Sequence, residues 1–171
     1  MTVMQQSSAS EHADDVATLR VHRAGPLDVR RLCPMLADTT WLGQAVDVEG
    51  LPPDTTRYLT DLVLPLPPDG RLLSLHKAAF VDLGPVVMRP DGGCDVELAW
   101  RSASLAPLFP VFAGHLSARS SGLTIEGHYA PPGGFLGRTA DRMLLHTAAR
   151  GTARWFLGHL AAALREPTAG A

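Results

Sequence analysis

Three groups of residues have types and spacings that could do chemistry. His115, Glu126 and His128 stand near the turn signal Ser120-Ser121-Gly122. If that turn pairs His115 with Glu126, two imidazoles and a carboxylate share one face and could bind zinc. His76 with Asp82 or Glu97 could act as an acid/base pair, because imidazole titrates near neutrality. In "YAPPGGFLGR", Gly133, Gly134 and Gly137 precede a helical run and raise the possibility of a phosphate loop.

Each group also has a plainer reading, and in each case the plainer one is stronger. The histidines and acids fall opposite Phe112, Leu116 and Ile125 or opposite Leu73, Leu75, Ala79, Val81 and Leu83, where a sheet would face water. The glycines match neither G-x-G-x-x-G nor G-x-x-x-x-G-K-[ST], and no lysine follows them. Nor is there a G-x-S-x-G nucleophile elbow. The expectation is no metal, no cofactor and no catalytic residue that a motif identifies. Arg101 and Tyr129 remain as groups that could orient the polar part of a ligand.

The elements that would position these residues follow a simple order. "VATLRVHR" alternates like a first strand and ends at Gly25-Pro26. Pro26 suits a first helical turn, and "PLDVRRLCPMLADTTWLGQAV" reads as one or two short helices. Pro34 kinks that run, and Asp38, Thr39 and Thr40 offer a second N-cap. Runs ending at Leu83 and around "CDVELAWRSAS" then alternate as strands, with "PPDG" and "SSG" as turns. They make an antiparallel meander of about six strands, apolar on one side. Leu136 to Arg165 reads as one long helix of roughly 30 residues. Its polar ridge runs through Arg138, Arg142, His146 and Arg150. Beyond Gly151 the apolar residues, such as Phe156 and Leu160, move to a different side.

The totals exclude several classes. A chain of 171 residues, 46% hydrophobic, makes one domain with a real core. We place it at residues 15–166, with frayed tails at 1–14 and 167–171. A net charge of −2 gives no general attraction to nucleic acid. No apolar run approaches the roughly 18 residues of a membrane span, and the first residues lack a signal-peptide pattern. The expected location is cytoplasmic, with Cys33 and Cys94 as two reduced thiols. Lys77 is the only lysine.

The order strand, short helices, antiparallel meander and long C-terminal helix resembles the START-like superfamily, also called SRPBCC. The resemblance covers roughly residues 16–165. The stretch from Ala99 to Leu157, with its Pro-Pro-Gly hinge, looks like the C-terminal half of bacterial members of that group. What it implies is an α+β helix-grip fold, a curved antiparallel sheet wrapped around the long C-terminal helix. It also implies an apolar cavity between the two, since pockets are mostly apolar with a few polar anchors.

The lining candidates are Trp41, Tyr58, Phe80, Trp100, Arg101, Phe109, Phe112, Tyr129, Met143 and Leu144. The leading expectation is binding of a small hydrophobic molecule such as a lipid, isoprenoid or polyketide-like compound. A polyketide cyclase or dehydratase could use the same cavity, holding a flexible chain in a reactive shape, with Tyr58, Arg101 or Tyr129 as its ionisable group. A third reading is an interaction module whose C-terminal helix supports a homodimer.

Overall fold

The computed structural model describes residues 17–38, 41–66, 73–103, 111–130 and 140–165, with side chains left aside at 64–66, 73–75 and 140–145. Among them, seven strands form one antiparallel sheet: β1 (Ala17–Ala24), β2 (Gln44–Val46), β3 (Thr56–Leu66), β4 (Leu73–Met88), β5 (Cys94–Ser102), β6 (Val111–Arg119) and β7 (Gly122–Ala130). Two helices, α1 (Val29–Ala37) and α2 (Ala140–Ala163), complete the α+β chain. The spatial order is β1-β7-β6-β5-β4-β3-β2. Consecutive strands are neighbours except that β1 closes against β7.

Period-two patterning decides which side of the sheet is buried. Val96, Leu98 and Trp100 of β5 are buried while Glu97 and Arg101 between and beside them are exposed. Phe112, Leu116, Ile125 and Tyr129 continue the same inner face. His115 pairs directly with Glu126, as the "SSG" turn predicts.

Both helices cover this inner face in complementary places. α1 packs on β4, β5 and β6, whereas α2 packs on β3, β1 and β7. A helix is about 10–12 Å across with its side chains. Five strand spacings separate β1 from β3, about 24 Å if the sheet were flat. α2 can touch both only because the sheet curls around it.

Several expectations change. The sheet has seven strands rather than six, because the run read as a second short helix contains the edge strand β2. Asp28, not Pro26, begins α1: its side chain accepts a hydrogen bond from the Arg30 backbone N–H. Asp38 ends that helix instead of starting another. β4 does not stop at Leu83 but runs through Gly84-Pro85 to Met88. The pairing with β5 shifts between Leu83 and Val86, and such a bulge is where a strand tolerates proline and bends.

The described buried residues of α2 are Ala148, Ala149, Thr152, Ala153, Phe156, Leu157, Leu160 and Ala161, and Leu164 follows just beyond its end. At 3.6 residues per turn they share one broad face, with Gly151 on the opposite side, so from His146 onward the helix does not change the face it buries. The Pro-Pro-Gly hinge lies outside the described residues, as do the two tails.

The cysteines differ most from expectation. Cys33 of α1 and Cys94 of β5 form a disulfide across 61 residues, with Cα atoms 6.1 Å apart. They are not two free thiols. The pairing follows from the fold: α1 lies over the start of β5, so both side chains point into the same buried layer.

Candidate functional site

Strand register assembles a row that crosses the whole inner face. Ala45, Tyr58, Val81, Trp100, Phe112, Tyr129 and Ala17 are successive cross-strand partners, one from each strand. Four of the seven are aromatic. Trp100 and Phe112 stack with ring centres 4.1 Å apart. Phe156 of α2 faces Trp100 at 6.3 Å, and Trp41 meets Phe156 edge-on at 5.8 Å.

The row can hold flat rings because the next position is empty of side chains. Gly114 pairs with Gly127. A Cβ at either would come within 2.8 or 2.9 Å of the Phe112 ring tip, so Phe112 lies over this glycine pair.

Three polar groups interrupt the apolar row. The Tyr129 hydroxyl and His146 Nδ1 are 3.0 Å apart and share a hydrogen bond whose direction the imidazole tautomer sets. Burial pushes the Tyr129 pKa up, so its hydroxyl stays protonated. Tyr58 is buried at the other end of the row. Between them, Trp100 is only 1% exposed, yet its indole N–H has no hydrogen-bond partner among the described residues. A buried donor left unmet costs about 1–3 kcal/mol, so this atom marks a place where an acceptor would be welcomed. Trp41 has no such deficit, since its Nε1 donates to the Met35 carbonyl at 3.0 Å.

No family model matches this chain, and no curated protein does either.

The candidates from the sequence divide by face. Trp100, Phe112, Tyr58 and Tyr129 meet on the inner row, and Trp41 reaches the same core through Phe156. Phe80 and Arg101 do not join them. Phe80 alternates with buried Ala79 and Val81, and Arg101 follows buried Trp100, so both project from the outer face. There Phe80 lies between two guanidiniums, with Arg57 at 5.6 Å and Arg101 at 5.7 Å from its ring centre. Met143 and Leu144 are on α2, but their side chains, like all of Phe109, lie outside the described residues.

His146 also departs from the expected polar ridge with Arg142 and Arg150. Its spacing to Ala149 and Ala153, both buried, puts it on the inward face of α2, a signal the sequence contains.

The outer face carries its own chemistry, largely complete in itself. Arg57 grips Asp82 with two bonds of 2.6 and 2.7 Å, and that contact pushes the arginine pKa further up against the effect of burial. Arg119 contacts Asp95 at 3.0 Å and Asp91 at 3.2 Å, and Arg89 also pairs with Asp95. Burial alone would raise the Asp95 pKa, but hydrogen bonds from Arg119, Ser117 and Arg89 outweigh it and hold the carboxyl at about 2. No three His, Cys, Asp or Glu side chains among the described residues have metal-binding geometry. His76 is exposed on this side.

A trough of about 720 Å³ also opens on the outer face, floored by Ala99, Ala113 and Gly84. Small side chains make that floor, and the most buried charge beside it, Asp95, is already held by Arg119 and Arg89. A narrower crevice of about 230 Å³ runs between α1 and the β4 bulge to Tyr58. It reaches the inner row.

Proposed function

We propose that the protein binds a small, largely hydrophobic molecule between α2 and the curved sheet, in the manner of the helix-grip, START-like proteins it resembles. The observation that carries this reading is the Trp100 indole N–H, deep inside an aromatic row and without a hydrogen-bond partner among the described residues. Interiors pair their buried donors, and a ligand acceptor would complete this one. The sheet curling around α2 supports the same arrangement, because a helix held at both flanks spans the concave face.

A second reading, a cyclase or dehydratase working in that space, is favoured by the Tyr129–His146 hydrogen bond. A neutral phenol beside an imidazole can pass a proton to or from a carbonyl-bearing chain. We attach no compartment to the proposal. No helix among the described residues is long and apolar enough to cross a membrane, and a bond such as Cys33–Cys94 persists in oxidising surroundings rather than in a reducing cytoplasm.

The test is native mass spectrometry of freshly purified protein, with organic extraction of whatever accompanies it. We expect a bound hydrophobic mass that denaturation releases. A ligand-free mass, together with unchanged tryptophan emission on titration with long-chain lipids, would overturn the proposal. A recovered polyketone chain converted to a cyclised product on incubation would select the enzymatic reading.

A further inference from the structure

The inner row is closed to solvent. Leu62, Val81, Trp100 and Phe112 are each at most 1% exposed, so a ligand reaches them only if part of their cover moves. Of the two helices on that face, α1 is the one built to move. It has nine residues, too few to hold a helix without packing, and Pro34 takes one backbone donor out of it. Only Leu32, Cys33 and Leu36 among its side chains are buried.

α1 is attached differently along its length. Just before it, the Gly25 and Leu27 backbone N–H groups donate to the Ser121 and Ser120 carbonyls at 3.1 and 3.0 Å, fixing that end to the β6–β7 turn. Gly25, with φ at +148°, also provides a bend that few other residues adopt. At the far end, Leu36 and Ala37 form one wall of the crevice that leads past the β4 bulge to Tyr58. Between the fixed end and the crevice wall lies Cys33, bonded to Cys94 of β5. No other disulfide can tie α1 to the sheet, because the chain has two cysteines. With the bond closed, α1 peels back only as far as that tether allows. With it open, the far end is held, among the described residues, by its three buried side chains and the Trp41–Met35 hydrogen bond. That hydrogen bond carries a movement inward, because Trp41 touches Phe156 and Phe156 faces Trp100.

We propose that α1 is a redox-latched lid: a dithiol opens Cys33–Cys94, α1 pivots about Gly25 to Leu27, and the crevice widens to admit ligand to the inner row. This rests on the binding function proposed above and adds its regulation. The step is a two-electron exchange. One sulfur of the dithiol attacks Cys33 Sγ, on the moving element, and the S–S bond breaks with Cys94 as the leaving thiolate. The second sulfur of the dithiol then displaces Cys33. The reagent departs oxidised to a disulfide, and its two protons end on the two cysteine thiols. Both cysteines are buried, so the attack happens only while α1 is partly peeled back.

The test follows reduction of the full chain by dithiothreitol across a series of urea concentrations, counting the thiols released. Lifting of α1 exposes little surface, so the reduction rate should rise with urea much less steeply than global unfolding does. An equally steep rise would overturn the inference, because the bond would then be a core staple that only unfolding releases. Hydrogen exchange locates the opening. Amides of residues 29–37 should exchange about tenfold faster or more in the reduced protein, as loss of a cross-link allows, with β5 to β7 unchanged. Protection that is unchanged in α1, or lost throughout the sheet, would also overturn it.

A dansyl-labelled long-chain fatty acid then reports entry, and its binding should be about tenfold faster or more in the reduced protein. Equal binding rates in both redox states would overturn the latch and leave the hydrophobic-ligand reading intact. An α1 that loosens while no probe binds in either state would support the latch and sink that reading. The double variant Cys33→Ala, Cys94→Ala should behave as the reduced chain does. The reduction rates of the unmodified protein decide the matter even if that variant fails to fold.

Discussion

The two faces of the sheet treat their polar groups in opposite ways. On the outer face the charges answer one another: Arg57 with Asp82, Arg20 with Glu126 at 3.5 Å, and Arg119 and Arg89 with Asp95. Even His22 shares a 2.9 Å hydrogen bond with Thr124. On the inner face there are far fewer polar groups, yet Trp100 Nε1 has no hydrogen-bond partner among the described residues. A charged surface whose groups are mostly paired stabilises a fold. A buried donor without a partner costs stability. Abundance of titratable residues is therefore a poor guide to function in this molecule, and the unmet bond is a better one.

This contrast can be broken by substitution. The largest effect should come from the inner row. Phe112→Ala removes a fully buried ring stacked on Trp100 and should cost about 3–5 kcal/mol in urea unfolding. A loss below about 1 kcal/mol would mean that the row is loosely packed and contributes little to the core. On the outer face, Arg57→Ala strands Asp82, whose side chain is 21% exposed, and should cost about 2 kcal/mol, less than a deeply buried pair would. Replacing both partners by leucine should recover most of that loss. If the double variant were as unstable as the single one, the fork would matter for more than mutual neutralisation.

The smallest expected effect sharpens the comparison by pH. Asp95 titrates at about 2 in the folded protein, below an unfolded aspartate near 4. Its contribution is present above about pH 4 and is lost as pH falls towards 2. With Arg89 half-exposed, screening reduces it to the order of 1 kcal/mol. Acid titration of stability should show this loss in the unmodified protein and a smaller one in Asp95→Asn.

Much of the sheet was legible because alternation is a local signal. Val96, Leu98 and Trp100 announce their side without reference to anything distant, and "SSG" sets the register that places His115 opposite Glu126. The bulge was hidden for the same reason: Gly84-Pro85 looks like a strand end, and only the neighbouring strands make it a bend. Side-chain type alone makes Phe80 and Arg101 pocket candidates, although parity with Asp82 puts Phe80, and parity with Glu97 puts Arg101, on the outer face. The disulfide could not be read from spacing, because it depends on where α1 lands on β5. His146 was legible and overlooked. The missing partner of Trp100 is a property of its surroundings, so no pattern in the chain could have contained it.

The pairing of β1 with β7 has a consequence for the order of assembly. His22 and Thr124 meet although 102 residues separate them. During synthesis β1 emerges first and waits for the last strand before its backbone groups find partners. Until then it is a bare strand edge, the kind of surface that recruits other chains. Contacts so distant also slow folding, since the long loop must close before they form. A nascent chain stopped before Gly122 would carry most of the sheet and both cysteines, yet its first strand would remain unpaired and prone to aggregation.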